Sequence, residues 1–379
     1  MKFAFIIFLS LFLNGAEQDF EFIHTERHTL GIYKERTAST SAGDIDNDGD
    51  IDLAVANGRH WPGQNRIFIN NGKGIFTVSR LLGNQEETSY STELADFDND
   101  GYLDIAVGND MAPSYILMND RKGNFIRTVT FGNLYEPTRK IIIADVDKDG
   151  DKDIIIANRG SANEICLNDG KGIFGKPILF GTGDDSTIDV GVGDVNGDGT
   201  LDLVVANRES DGNGNPDGAQ SAIYLNDGKL DFSKKILLGS GKDKIRSVCI
   251  VDLNKDGYLD IITACIGSPN VIYFGDKNSM YSERIIFDST NSNSSSLAIA
   301  DFDLDGDIDV VVGNFEQPNM VFINTGQGKS WESMQLSDEK FNTYDILTAD
   351  LNGDGRPDIV ESNSDEVNNY YFNRKKKKK

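Results

Sequence analysis

Seven copies of one nine-residue loop, a near-constant spacing between them, and four short strand patterns per spacing predict an all-β fold. The expected architecture is a seven-bladed β-propeller with four-stranded antiparallel blades. The loop reads Asp-x-Asp/Asn-x-Asp-Gly-x-x-Asp and begins at Asp44, Asp96, Asp145, Asp194, Asp252, Asp301 and Asp350. The intervals are 52, 49, 49, 58, 49 and 49 residues. A unit of this size buries its faces only against copies of itself, so the 379 residues count as one repeat domain rather than two or three separate ones.

The second unit shows the elements in order. Ser91–Ala95 reads as a short strand, followed by the loop Asp96–Asp104 and a second strand over 105–108. The polar segment Asn109–Ser114 leads to a third strand, Tyr115–Met118. A Gly-containing turn, Asn119–Asn124, precedes Phe125, which opens a fourth strand over 126–131. Other units repeat the punctuation, as in Asn70-Asn71-Gly72 and Asn168-Asp169-Gly170. Asn-Gly and Asp-Gly are strong tight-turn signals. One aromatic follows each such turn (Phe76, Phe125, Phe174, Phe232, Tyr281), and a single aromatic at a fixed point per repeat predicts packing between blades.

The chain ends argue for closure. After Asp358 only two strand patterns remain, 359–361 and 369–372, while one unclaimed strand, Phe20–Thr29, precedes the first loop. Pairing the two ends would complete a seventh blade and remove the exposed edges of an open array. The expected division is a signal peptide over 1–16, the propeller over 17–373 and a basic tail over 374–379. Lys2 followed by the apolar run 3–13 carries the first of these expectations. It implies a secreted, extracellular or periplasmic protein.

Composition narrows the function classes. Hydrophobic residues make up 38% of the chain, with 39 Gly, as many short strands and turns require. No transmembrane segment is expected after the leader-like run. The formal charge of −24 argues against nucleic-acid binding. Much of that charge has a local cause, because the loops concentrate it, and seven divalent cations would cancel more than half of it. Cys166, Cys249 and Cys265 have no metal-ligand spacing; a Cys249–Cys265 disulfide stays open beside a reading as small buried hydrophobes.

The loops carry the clearest chemistry. Oxygen-bearing side chains at positions one, three, five and nine, with a Gly at the sharp turn, form a hard-cation cage suited to Ca²⁺. The expected ligands are Asp44, Asp46, Asp48 and Asp52; Asp96, Asp98, Asp100 and Asp104; and Asp145, Asp147, Asp149 and Asp153. The remaining sets are Asp194, Asn196, Asp198 and Asp202; Asp252, Asn254, Asp256 and Asp260; Asp301, Asp303, Asp305 and Asp309; and Asp350, Asn352, Asp354 and Asp358. About seven Ca²⁺ per chain follow. An EF-hand would need Glu at position twelve, where Val55, Val107 and Ile156 stand in the first three loops. The absence of His or Cys from the sets disfavours transition metals.

On these residues the chain resembles the FG-GAP/VCBS repeat family, whose calcium loops also occur in integrin α-subunit propellers. The likeness spans 20–373. A literal Phe-Gly…Gly-Ala-Pro signature is missing, and runs such as Asp52-Leu53-Ala54-Val55-Ala56-Asn57 are nearer the VCBS form. The resemblance implies a secreted calcium-bound propeller and no particular reaction, because one scaffold hosts many functions.

Strand order places all seven Asp loops on one face and the irregular connections on the other, where binding usually resides. Candidate ligand-binding residues there are Arg59, His60, Trp61, Tyr90, Tyr135, Arg139, Arg159, Arg208 and Phe315, with a long insertion over 209–221. Aromatic rings stack on sugars or side chains, and Arg grips oxyanions in a fork. The favoured partner is an extracellular glycan or protein, bound without chemistry. A polysaccharide lyase using His60 and Tyr90 with Arg59 or Arg159, and a structural unit of a surface assembly, are the alternatives.

Overall fold

The computed structural model describes residues 18–208, 220–240, 243–278 and 280–377. Among them there is no helix, and no helix long and apolar enough to cross a membrane. Five separate four-stranded antiparallel sheets repeat one order. The first is Ser89–Ala95, Asp104–Asn109, Ser114–Asn119 and Phe125–Phe131. A sixth set of four, Thr29–Gly43, Asp52–Asn57, Arg66–Ile69 and Val78–Leu81, belongs to a seven-stranded sheet. That sheet also holds Phe20–Ile23, Asn342–Ala349 and Asp358–Lys375. The arrangement is propeller-like.

Burial follows from position within the unit. The second strand of each set is buried along its whole length, as in Asp104–Asn109 and Asp309–Asn314, because sheets cover both of its faces. Seven hydrophobic clusters lie between neighbouring sheets, each drawing strands from two units. Phe76, Phe232 and Tyr281 are buried in such clusters, and Phe125 and Phe174 pack against them, as one aromatic per repeat foretells. The outer strands are the most exposed, Val78–Leu81 throughout, although Phe131, Phe180 and Phe287 on other outer strands are buried.

Polar side chains stitch the units together at both ends. Asn65 donates to the Ser89 hydroxyl (2.8 Å), Asn163 to Thr187 (3.0 Å), Asn319 to Thr343 (2.9 Å) and Asn368 to Thr37 (3.0 Å). Near the Asp loops, the Asn opening the third turn reaches back one unit. Asn119 donates to the Ile45 carbonyl (3.0 Å), Asn168 to Phe97 (2.8 Å) and Asn70 to Leu351 (2.7 Å). Each bond satisfies a buried polar group that would otherwise cost about 1–3 kcal/mol.

The chain ends depart from the expected bounds. The N-terminal strand expected over Phe20–Thr29 stops at Ile23, because a turn closed by the His28 amide on the Thr25 carbonyl (2.8 Å) intervenes. Thr29 instead opens the long strand Thr29–Gly43. Phe20–Ile23 pairs with residues 372–375, from Phe20↔Lys375 to Ile23↔Phe372. Strand structure therefore enters the expected basic tail, and the Lys376 amide donates to the Asp19 carbonyl (2.8 Å). Asp365, at φ 62°, interrupts Asp358–Lys375. The Asn363 amide bonds Asn368 (2.7 Å) and the Asn373 amide bonds Asp358 (2.8 Å), repeating the bonds between second and third strands elsewhere. The segment thus doubles back at Asp365.

Cys166, Cys249 and Cys265 are all free thiols. Cys249 pairs with Ile262 and Cys265 with Ile245, so the two cysteines stand out of register and form no disulfide. The signal segment 1–16 and residues 209–219 of the insertion lie outside the described residues.

Candidate cation loops and the opposite mouth

The Asp loops adopt one conformation seven times. Position four has positive φ in every loop, from 57° at Asn99 to 72° at Gly197, and the position-six Gly lies between 81° and 99°. At φ above 80° a Cβ would be strained, which fixes Gly at position six. Position one folds back on the loop: Asp96 accepts the Asp100 amide (3.0 Å) and the Gly101 amide (2.8 Å). Position five accepts the amide of position seven, as Asp100 does from Tyr102 (3.0 Å).

The ninth residue does more than its place in the motif suggested. Asp52, Asp104, Asp153, Asp202, Asp260, Asp309 and Asp358 are at most 1% exposed. Each accepts the amide of loop position two at 2.8–3.1 Å. Each also accepts an amide at or just past the end of the third strand at 2.7–2.9 Å. This carboxylate clamps the loop to the sheet whatever else it holds. Burial pushes Asp52, Asp104, Asp153, Asp202 and Asp260 up to about 6, and Asp309 and Asp358 to about 7.

Four loops gather three carboxylates with ligand atoms within 4.8 Å of one another: Asp44, Asp46 and Asp48; Asp96, Asp98 and Asp104; Asp145, Asp147 and Asp153; Asp301, Asp303 and Asp309. These clusters could hold metal ions. The donor set fits a hard divalent cation, and a second observation agrees. One oxygen each of Asp46, Asp98 and Asp145 is buried without a hydrogen-bond partner. Burial first, then the neighbouring loop carboxylates, raises Asp46 and Asp98 above the usual carboxylate range. A cation would remove both the repulsion and the orphaned oxygens. The Asn loops differ: Asn196 donates to Asp198 (2.9 Å) and Asn254 to Asp256 (3.0 Å), so an amide takes part of the cation's place.

At the other end of the strands, one cavity of about 750 Å³ is ringed by the first strands of the units. Seven of the nine candidate ligand residues line it: Arg59, His60, Tyr90, Arg139, Arg159, Arg208 and Phe315. The structure does not bring Trp61 or Tyr135 to it; both are more than 60% exposed, and Trp61 lies 5.5 Å from the Arg36 guanidinium.

The aromatic rings in this mouth are already engaged. Arg139 lies 4.3 Å over Tyr90, Arg59 3.9 Å over Tyr344 and Arg246 5.5 Å over Phe315. Arg139 also pairs with Asp110 at 2.7 Å, and Arg59 donates to Ser364 at 2.6 Å. His60 sits between Asp110 (Nδ1, 2.8 Å) and the Tyr90 hydroxyl (Nε2, 2.9 Å). Burial raises the Tyr90 pKa, so its phenol stays protonated at neutral pH.

Sequence reasoning missed Arg246, Tyr344 and Asp110. A register signal could have found the first two, because each is the residue skipped at the register shift near the start of its unit's first strand. Tyr90, Arg139, Arg246 and Tyr344 occupy that one place after Ser89, Thr138, Ile245 and Thr343. Farther along the same first strands, Lys140 lies 3.5 Å from Glu93, and Asp189 and Asp345 also line the cavity. Burial opposes the Lys140 charge, but Asp345, Glu93 and Asp189 together hold its pKa up.

Comparison with known proteins agrees with this geometry. The FG-GAP-like repeat matches residues 44–107, 96–156, 145–205, 211–263, 252–312 and 301–361, and the FG-GAP repeat matches 187–225. No curated protein is matched. The fold is similar to BBS1N in complex with ARL6DN, soaked with lead (TM-score 0.63, 11% identity, 94% of this chain and 98% of that chain). The mercury-soaked form gives a TM-score of 0.59 at 11% identity, over 94% and 97%. An Agrocybe aegerita lectin, whose structure concerns specific recognition of non-reducing terminal N-acetylglucosamine, aligns with a TM-score of 0.56 and 18% identity over 80% and 81%. At these identities the likeness concerns the fold. With repeats matched across most of its length, the chain belongs to the FG-GAP repeat family.

Proposed function

We propose that this protein is a closed seven-bladed, calcium-loaded propeller that acts outside the cell as a binding module for a glycan or protein. Closure is supported by Phe20–Ile23 pairing with the C-terminal segment, and by the Asn368–Thr37 and Asn70–Leu351 bonds that join the last unit to the first. About seven Ca²⁺ would sit in the Asp loops, held by positions one, three, five and nine. The metal there neutralises crowded carboxylates and stiffens one face; it takes no part in binding at the other.

The observation that carries the binding reading is convergence. Side chains from most units meet around one cavity opposite the repetitive face. The lectin likeness supports the scaffold's suitability for sugar recognition. A glycan array run with the calcium-loaded protein tests the reading, with Arg139→Met as the control for the mouth. Capture that the substitution weakens supports it; capture indifferent to Arg139 would place the site elsewhere.

A lyase reading is favoured by one arrangement, the chain from Asp110 through His60 to the Tyr90 hydroxyl, which could draw the phenolic proton toward His60. The raised Tyr90 pKa weighs against it. Unsaturated products absorbing in the ultraviolet from a uronate-rich polysaccharide, lost in His60→Ala, would establish it over the binding reading.

A further inference from the structure

The charge in the cavity is ordered along its axis. The arginines stand at the mouth, whereas Glu93, Asp189 and Asp345 surround a single Lys140 farther along the first strands. The arginines are not equivalent either. Arg139 is neutralised by Asp110, and Arg59 is tied to Ser364 with Asp365 at 3.9 Å. Arg208 and Arg246 have no carboxylate partner among the described residues. The Nε of Arg246 is buried and makes no hydrogen bond. Leaving a buried guanidinium donor unmatched is costly, and the usual remedy is an oxyanion that accepts it.

Resting on the binding reading of this same mouth, we propose that its ligand is acidic: the carboxylate or sulfate of a terminal sugar, gripped by Arg246 and Arg208. The Phe315 ring under Arg246 holds the guanidinium in place. Burial, then the nearby Arg208 charge, brings the Arg246 pKa down to about 10, which leaves it charged at neutral pH and short of a counter-ion. The aromatic faces that a neutral sugar would stack on are covered by guanidinium groups, so recognition falls to charge. Farther in, Lys140 is already paired with Glu93 and faces Asp345 and Asp189, so no free cation among the described residues draws the acidic group past the mouth. With a net charge of −24, the rest of the molecule disfavours long polyanions and leaves a compact anionic end group as the occupant.

Calorimetric titration of the calcium-loaded protein at fixed ionic strength tests the inference with three probes: sodium glucuronate, inorganic sulfate and glucose. Glucuronate should bind at least tenfold more tightly than glucose, and sulfate should compete with it. Arg246→Met should weaken glucuronate at least tenfold with the melting temperature unchanged. Arg208→Met provides a second variant should the first fold poorly. Equal affinity for glucose and glucuronate, or glucuronate binding indifferent to both substitutions, would overturn the proposal. A neutral glycan captured on the array while glucuronate fails would overturn it and leave the binding reading intact. Glucuronate binding through Arg246 with an empty glycan array would keep it and count against the glycan reading.

Discussion

The two ends of the strands obey opposite rules. At one end, seven loops repeat the same left-handed positions and the same buried ninth carboxylate with its two amides. At the other, no unit repeats its neighbour: blade-opening strands present Tyr90, Arg139, Arg246 and Tyr344 in one register place, but Ala38, Ile188 and Ser295 in the rest. The first end is built mainly within one unit: each loop closes on its own residues and on one amide at or just past the end of its unit's third strand. The second exists only because separate units converge on one axis. A site of the first kind tolerates losing one copy. A site of the second kind has a single copy to lose.

Opening the proposed ring should have the largest effect. Deleting residues 17–30 removes Phe20–Ile23 and the start of Thr29–Gly43, and should abolish the cooperative melt, carrying both ends with it. A deletion variant that melts like the full chain would refute closure. Chelation should come next. A cation that binds only the folded state adds about 2.7 kcal/mol per site at a hundred times its Kd. A chelator should therefore lower the melting temperature substantially while leaving the cavity's own contacts intact. Elemental analysis without calcium and an unchanged melt would dismiss the cation reading.

Smaller effects sharpen the contrast within the Asp loops themselves. Asp104→Ala strands the amides of Phe97 and Asn119 inside the protein and should cost about 2–5 kcal/mol even in chelator, where only its clamping role is lost. Asp98→Ala should change sign with conditions: destabilising in calcium, and neutral or stabilising in chelator, where it relieves crowding. Denaturant titration of both variants in both buffers separates a clamp from a ligand. If Asp98→Ala behaved alike in the two buffers, position three would not be a cation ligand. The smallest effect is expected at Trp61, which is 63% exposed and away from the cavity. Trp61→Ala should alter ligand affinity by less than about 0.5 kcal/mol, the range of exposed positions; a loss above 1 kcal/mol would extend the site onto the outer rim.

Period, loop chemistry and turn punctuation were legible because each is encoded within one unit. Asp, Gly and Asn at fixed offsets dictate a cage, a left-handed turn and a capped hairpin with no help from distant residues. Even the pairing of the chain ends could be anticipated by counting strands, although the turn at Thr25–His28 and the run through Lys375 could not. The double duty of Asp104 and its equivalents was hidden, since the motif names the residue without saying which amides it will meet.

The sequence by itself determined an all-β repeat fold and where the Asp clusters stand, because those depend on neighbours along the chain. Only the tertiary structure decided that Arg246 and Tyr344 join Arg59, Tyr90, Arg139 and Phe315 around one cavity while Trp61 and Tyr135 stay outside it. It alone showed guanidinium groups covering the aromatic rings. The physical reason is the geometry of stacking: residues more than two hundred positions apart become neighbours through the angle between successive sheets, and no local pattern records that angle.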